Sequence, residues 1–153
     1  RAGILNGRID VVATDHAPHT AEEKSGSYFQ APSGGPLVQH ALPAMLEMVH
    51  QGVLPVEEVV NLMAHRVADL FDMTDRGYIR AGHKADLVLV DPNDPWKVAK
   101  SNILYKCGWS PFEGSTFKSR ICGTWVNGVQ VYNGERILTE HGNHAGERLA
   151  FNR

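Results

Sequence analysis

The spacing of apolar residues divides the chain into a first part with helical periodicity and a second part with the periodicity of strands. Residues 9–13 form a short apolar run rich in β-branched side chains, which is typical of a strand buried on both faces of a parallel sheet. Apolar positions then recur at helical spacing over residues 37–51, 56–63 and 66–71, and Pro43 is expected to kink or delay the first helix. We interpret the Met and Leu side chains of these helices as core.

The second part of the chain predicts a small antiparallel β unit. Residues 85–91 form a strand-like apolar run that ends at a Pro-Asn-Asp-Pro turn. Residues 119–126 and 129–132 are two further β-rich runs, and they are separated by Asn-Gly. This dipeptide indicates a type I′ hairpin, because both central residues of that turn need positive φ. We interpret the aromatic segment 105–114 as a loop whose rings pack against the body.

Composition and charge exclude several classes of function. The 153 residues include 15 basic and 17 acidic side chains, without a basic block, so we expect no nucleic-acid partner. No apolar run approaches the roughly 20 residues of a membrane helix, so we expect no membrane partner. Cys107 and Cys122 are too few for a disulfide framework, which favours reduced thiols in a cytoplasmic protein. The eight histidines leave metal binding open.

The candidate chemistry lies where the first apolar run ends. Asp15 follows the run after Thr14, with His16 and His19 close behind it, and Pro18 prevents the strand from continuing. In α/β barrels, active sites lie at the C-terminal ends of the strands. A carboxylate there can bind a metal and transfer protons, although such residues elsewhere often cap helices or make surface hydrogen bonds.

Other polar positions allow two interpretations each. The loop over residues 20–35 is long enough to be functional, but it also fits a plain connector into the next helix. His65 could face a site, and we interpret it as a packed or hydrogen-bonded structural residue. His141 and His144 could share one helical turn, and we interpret them as part of a loose tail rather than a metal site.

Three longer motifs resemble one enzyme family. VATDHAPHT followed by EEK, over residues 12–24, is similar to the dihydroorotases of the amidohydrolase superfamily. Residues 77–91, with the sequence GYIRAGHKADLVLVD, resemble the point where that superfamily enters its small β domain. KCGWSPF at residues 106–112 is similar to a segment of dihydroorotases in particular. The resemblance therefore covers nearly the whole chain.

The resemblance implies an α/β fold class and a larger protein. The chain would be the C-terminal part of a (β/α)8 TIM-like barrel, with its last strand and helices, followed by a small β-sandwich domain. The expected boundaries are 1–76 for the end of the barrel, 77–140 for the sandwich and 141–153 for a tail. We expect the chain to be a fragment, inactive alone, in which residues 9–13 lack neighbouring strands and form no closed barrel.

Particular site residues follow from the same resemblance. Asp15 corresponds to a residue that is both a metal ligand and the catalytic proton shuttle. His19 corresponds to the family's binder of the substrate carboxylate. Ser33 and Gly34 match the loop whose backbone holds the substrate, although the family often has a bulkier residue at the position of Ser33. The expected cofactor is zinc, as one or two ions, whose remaining ligands would lie upstream of this chain.

The activity that the resemblance implies is the zinc-dependent, reversible hydrolysis of dihydroorotate to N-carbamoyl-L-aspartate in pyrimidine biosynthesis. The implied partners are this small-molecule substrate, the rest of the barrel and a second copy in a homodimer. One alternative is another cyclic amidase, of the allantoinase or hydantoinase type, against which His19 and the motif at 106–112 argue. Another is a non-catalytic dihydroorotase-like subunit of a transcarbamoylase complex, against which the retention of Asp15 and His19 argues.

Overall fold

The computed structural model describes residues 1–138 and 145–152. His141 and His144, on which a metal site was considered, lie outside the described residues. The first half is helical and the second half holds two small antiparallel sheets. In chain order the elements are α1 (Ala2–Leu5), a 3₁₀ turn (Glu23–Ser25), α2 (Ala41–His50), α3 (Val56–Val60), a π-helical turn (Asn61–His65), α4 (Arg66–Leu70), β1 (Leu87–Asp91), β2 (Trp96–Lys97), a second 3₁₀ turn (Lys100–Asn102), β3 (Thr116–Phe117), β4 (Arg120–Val126) and β5 (Val129–Tyr132).

The three predicted helices are present with different bounds. Helix α2 begins at Ala41 rather than at residue 37, and Pro43 lies in its first turn, where a missing backbone N–H costs little. The Leu37 and Val38 N–H groups, just before the helix, donate hydrogen bonds to the His16 side chain. Helices α3 and α4 are joined by the π-helical turn without a break, so the two separately predicted helices form one. The core cluster lies between these helices and consists of Met45, Leu54, Val59 and Leu62.

The strand predicted over residues 9–13 is not formed. This segment carries no ladder pairing, and its backbone contact to the helices is a hydrogen bond from the Val12 N–H to the Leu62 carbonyl at 3.0 Å. Ile9 remains 40% exposed. The physical reason is the one expected from the sequence: a parallel strand needs neighbouring strands, and none lies beside this segment among the described residues.

The β unit is confirmed, with an additional small sheet. Strands β1, β4 and β5 form an antiparallel sheet in the order β1-β4-β5. Asn127 and Gly128 have φ values of 50° and 82°, as a type I′ turn requires. The second sheet pairs β2 with β3, bringing Trp96 opposite Phe117, and it has no clear signal in the sequence pattern.

A polar cluster fastens the end of the helical part to the hairpin turn. Arg76 is only 8% exposed, and its guanidinium donates to the Asp86 carboxylate and, at 2.8 Å, to the Asn127 side-chain oxygen. The Asn127 N–H in turn donates to Asp86 at 2.8 Å. Asn127 in the hairpin turn is thus bonded through its side chain to Arg76 and through its backbone to Asp86. These bonds fix the connector at residues 72–86 against the sheet. Cys107 and Cys122 are free thiols, as expected.

Candidate functional site

Asp15 lies in the irregular segment between α1 and the first 3₁₀ turn, and it is exposed to solvent. Its φ is 44°, in the left-handed region that few residues other than glycine adopt. The residue is exposed, and its carboxylate makes no hydrogen bond or ion pair with the part of the chain that the structure describes. The segment is held by a parallel bridge between His16 and Gly35 and by the Ala17 N–H, which donates to the Gly35 carbonyl at 3.2 Å. A carboxylate without internal partners is free to act on an external group.

His16 has a structural role beside this carboxylate. Its Nδ1 atom accepts hydrogen bonds from the Leu37 N–H at 3.1 Å and the Val38 N–H at 3.4 Å. These donors require an unprotonated Nδ1, which leaves the neutral ring with its proton on Nε2. The ring also lies 5.3 Å from the Tyr105 ring. His16 therefore fixes the turn of Asp15 against the segment that leads into α2.

His19 is half-buried and is held at both its backbone and its ring. The Trp109 indole N–H donates to the His19 carbonyl at 2.8 Å, and this bond joins two sequence motifs 90 residues apart. The His19 Nδ1 atom lies 3.7 Å from the Glu23 carboxylate. The Thr20 N–H donates to Glu23 at 2.7 Å, and this hydrogen bond is the main reason that the pKa of Glu23 is lowered. A negative charge is therefore retained beside the imidazole.

The loop with Ser33 and Gly34 contacts the same turn. Both residues are exposed, and Gly34 has a φ of 93°. A Cβ atom on Gly34 would lie 2.5 Å from the Cβ atom of Ala17, so the backbone approaches the Asp15–His19 turn as closely as a glycine allows. The structure thus brings Gly34 against Ala17, which lies between Asp15 and His19 in the chain; Asp15, Ser33 and Gly34 are exposed and His19 is partly exposed.

Sequence reasoning missed three residues that support this site: Lys24, His40 and Trp109. The motif at 106–112 was a signal for Trp109, but its aromatic side chains were interpreted only as packing. His40 is fully buried, and burial lowers its pKa. Its Nδ1 atom lies within hydrogen-bond distance of the Ser110 hydroxyl at 3.0 Å and the Tyr105 hydroxyl at 3.2 Å. His40 thus connects the start of α2 to the aromatic segment.

His65 has the structural role expected of it. Its ring stacks on the Tyr78 ring with centroids 4.2 Å apart, and its Nδ1 atom lies 3.1 Å from the Asn61 side-chain oxygen. Both contacts anchor the π-helical turn to the segment that follows α4.

The described residues do not form a metal site by themselves. Among them, no three His, Cys, Asp or Glu side chains are grouped so that they could hold a metal ion. A catalytic zinc ion needs about three protein ligands. Asp15 offers one carboxylate, so the described residues do not fit a bound zinc ion on their own.

Comparison with known proteins defines the class of protein first. A model of the amidohydrolase family matches residues 35–132, and the chain belongs to this family. Within it, the sequence is of the dihydroorotase type. It is 44% identical to the dihydroorotase of Halobacterium salinarum over 136 residues, which cover 88% of this chain and 32% of that protein. It is 34% identical to the dihydroorotase of Trichlorobacter lovleyi over 134 residues, which cover 88% of this chain and 31% of that protein.

The fold is similar to that of solved cyclic amidases. A D-hydantoinase from Thermus sp. superposes with a TM-score of 0.84 at 25% identity, covering 92% of this chain and 32% of that one. An L-hydantoinase from Arthrobacter aurescens gives a TM-score of 0.81 at 31% identity, with the same coverages of 92% and 32%. The chain thus spans about a third of the length of the proteins it matches. None of the described helices has the length and apolar character needed to cross a membrane.

Proposed function

We propose that the protein carrying this chain is a dihydroorotase, which reversibly hydrolyses dihydroorotate to N-carbamoyl-L-aspartate in cytoplasmic pyrimidine biosynthesis. The observation that carries the proposal is the 44% identity to a dihydroorotase over 136 residues, which cover 88% of this chain. The chain covers about a third of that relative. The activity is therefore assigned to the whole protein and not to these residues alone.

Asp15 is suited to move the proton that the reaction requires. Hydrolysis adds the oxygen of water to the ring amide carbonyl and breaks the bond between that carbon and the ring nitrogen. The Asp15 carboxylate, exposed and without internal partners, accepts a proton from the attacking water and delivers it to the leaving nitrogen. The proton taken at the first step is the one returned at the second, so the carboxylate is regenerated.

His19 and the loop at Ser33 and Gly34 are suited to bind the substrate. The His19 ring is half-exposed and can donate a hydrogen bond to the substrate carboxylate, and such charge-assisted bonds are stronger than neutral ones. Ser33 and Gly34 are exposed residues close to the segment between Asp15 and His19, where a cyclic amide could reach them. The zinc dependence and a homodimeric state are proposed from the family resemblance, and Asp15 is the one zinc ligand proposed within this chain.

A hydantoinase-type specificity is the alternative with an observation in its favour, since solved hydantoinases share the fold with TM-scores above 0.8. Their identities of 25% and 31% are lower than the 44% and 34% of the two dihydroorotases. His19, which would bind a carboxylate that hydantoin lacks, also favours dihydroorotate. The non-catalytic alternative is disfavoured by the retention of Asp15 in an exposed, unpaired state.

The test is a comparison of substrates with the whole protein, supplied with zinc. We expect dihydroorotate to be hydrolysed with a kcat/KM well above those for hydantoin and allantoin. A preference for hydantoin or allantoin would replace the proposal with the other cyclic amidase. No hydrolysis of any of the three would favour the non-catalytic subunit.

A further inference from the structure

Lys24 makes an unusual pair of contacts in the loop beside the site. Its ammonium donates to the Pro32 carbonyl at 2.5 Å and to the Gly34 carbonyl at 3.0 Å. These two carbonyls belong to the residues on either side of Ser33. Lys24 is partly buried and forms no ion pair with any described residue. Among the described residues, its ammonium group therefore has these two backbone carbonyls as its hydrogen-bond acceptors.

The segment that carries Lys24 is itself fixed against the turn of His19. In the 3₁₀ turn Glu23–Ser25, the Glu23 carboxylate accepts from the Thr20 N–H and the Thr20 hydroxyl accepts from the Glu23 N–H, at 2.7 and 3.2 Å. The Glu23 carboxylate also lies 3.7 Å from the His19 ring. Two consecutive side chains of one turn thus contact the two segments proposed to bind substrate, with Glu23 on one and Lys24 on the other.

We propose that Lys24 is a positioning residue, whose ammonium sets the conformation of the loop that carries Ser33 and Gly34 and thereby sets the affinity for substrate. The proposal rests on the proposed function. The physical reason is that an ammonium group can donate to both carbonyls at once, whereas a neutral side chain without donors leaves both of them without this partner. Hydrogen bonds to charged groups are stronger than neutral ones, so the loop conformation depends on this side chain.

Two carbonyls held in this way also leave the loop little freedom to move. The loop already contains a short turn, in which the Gln30 and Ala31 N–H groups donate to the Ser27 carbonyl at 2.9 Å. Lys24 connects the residues after this turn to the turn at Glu23–Ser25. Without the two hydrogen bonds from Lys24, the segment from Pro32 to Gly34 would be held mainly through the next residue, Gly35. Gly35 is bridged to His16 and accepts a hydrogen bond from the Ala17 N–H.

The experiment compares Lys24→Met with a matched control, Lys84→Met, in the whole protein. Lys84 is also a partly exposed lysine, but it pairs with Glu147 at 2.7 Å in the second half of the chain, and the site does not use it. We expect Lys24→Met to raise the KM for dihydroorotate by about tenfold or more, which corresponds to about 1.4 kcal/mol, while kcat changes by less than about threefold. Lys84→Met should leave both constants unchanged.

A second measurement reports on the loop without any substrate. Hydrogen exchange of a peptide covering residues 28–36 should become faster in Lys24→Met and stay unchanged in Lys84→Met. An unchanged KM, or unchanged exchange, in Lys24→Met overturns the positioning role. If the wild-type protein hydrolyses no cyclic amide, the proposed function fails, and the exchange measurement still decides whether Lys24 holds the loop.

Discussion

The close approach of Gly34 to Ala17 allows a prediction with a built-in control. Gly34→Ala places a Cβ atom 2.5 Å from the Ala17 Cβ atom, about 1 Å short of ordinary contact, on a backbone with φ of 93°. The left-handed conformation costs an alanine about 1–2 kcal/mol, and overpacking typically costs about 1–3 kcal/mol. Gly35, the next residue, has open space around its Cβ position and no positive φ, so Gly35→Ala should be close to neutral.

These numbers predict the outcome in two assays on the whole protein. A combined cost of about 2–5 kcal/mol corresponds to at least about a 30-fold loss in the population of the native loop, at about 1.4 kcal/mol for each factor of ten. We expect kcat/KM for dihydroorotate to fall by at least about tenfold in Gly34→Ala. Hydrogen exchange over residues 28–36 should become faster in the same variant. Gly35→Ala should resemble the wild type in both assays.

A double-mutant cycle separates the steric part of this cost from the backbone part. Ala17→Gly removes the Cβ atom at 2.5 Å and leaves the Ala17 Cα atom at 3.7 Å as the nearest contact, which is an ordinary distance. In that background, Gly34→Ala should cost only the backbone part, about 1–2 kcal/mol, so the coupling between the two changes should be about 1–3 kcal/mol. The reasoning is refuted if Gly34→Ala and Gly35→Ala behave alike, or if the cost is the same in both backgrounds.

Four further predictions concern the site and the stability of the fold. Asp15→Asn in the whole protein should lower kcat by about 10²–10⁴-fold, as loss of general acid–base catalysis does. His19→Ala should raise the KM for dihydroorotate by about tenfold or more and leave dihydrouracil, which lacks the carboxylate, nearly unaffected; equal damage to both would give His19 another role. Arg76→Met should lower the free energy of unfolding in urea by about 2 kcal/mol, because it removes the hydrogen bonds that the buried guanidinium donates to the Asp86 carboxylate and the Asn127 side-chain oxygen. The matched change at an exposed arginine, Arg80→Met, should cost at most about 1 kcal/mol. Burial lowers the pKa of His40 below 6.5, so at falling pH the unfolded state takes up a proton on this residue before the folded state does. The free energy of unfolding should therefore fall as pH drops through about 6.5. A His40→Gln variant should lack this part of the pH dependence.

The β unit was predictable because its signal is local. Asn127-Gly128 specifies the type of turn. That turn then fixes which residues of the flanking strands lie opposite each other, such as Val126 and Val129. The short sheet of β2 and β3 has two residues in each strand, too few for a period to be detected. Its pairing depends on the long loop between the strands and not on a local pattern.

The segment over residues 9–13 marks the limit of pattern reasoning. Its apolar, β-branched composition describes what a buried strand needs, but a strand forms only where a neighbour supplies hydrogen bonds. The start of α2 is a similar case, since its N-terminal bound depends on the contact of His16 with the Leu37 and Val38 N–H groups. Both outcomes depend on groups distant in the sequence.

The residues of the candidate site could be proposed from the sequence, but the contacts that hold them in place could not. Asp15, His19 and the loop at Gly34 were proposed from motifs, and the structure shows Gly34 packed against Ala17, between the other two residues in the chain. Lys24 and Trp109 lie within the quoted motifs, but the sequence does not indicate that Lys24 contacts two carbonyls or that Trp109 contacts the His19 carbonyl. Bonds from a side chain to a backbone carbonyl require a particular chain path and no particular residue at the acceptor, so sequence alone does not indicate them.

The most direct test of the account is the rate of dihydroorotate hydrolysis by the whole protein and by its Asp15→Asn variant, measured side by side as formation of N-carbamoyl-aspartate. We expect turnover by the wild type and a loss of at least about 100-fold in the variant, because Asp15 is proposed to carry the proton between water and the leaving nitrogen. Wild-type-like turnover by Asp15→Asn would contradict the assignment of the site. No turnover of dihydroorotate by the wild type supplied with zinc would contradict the proposed function itself.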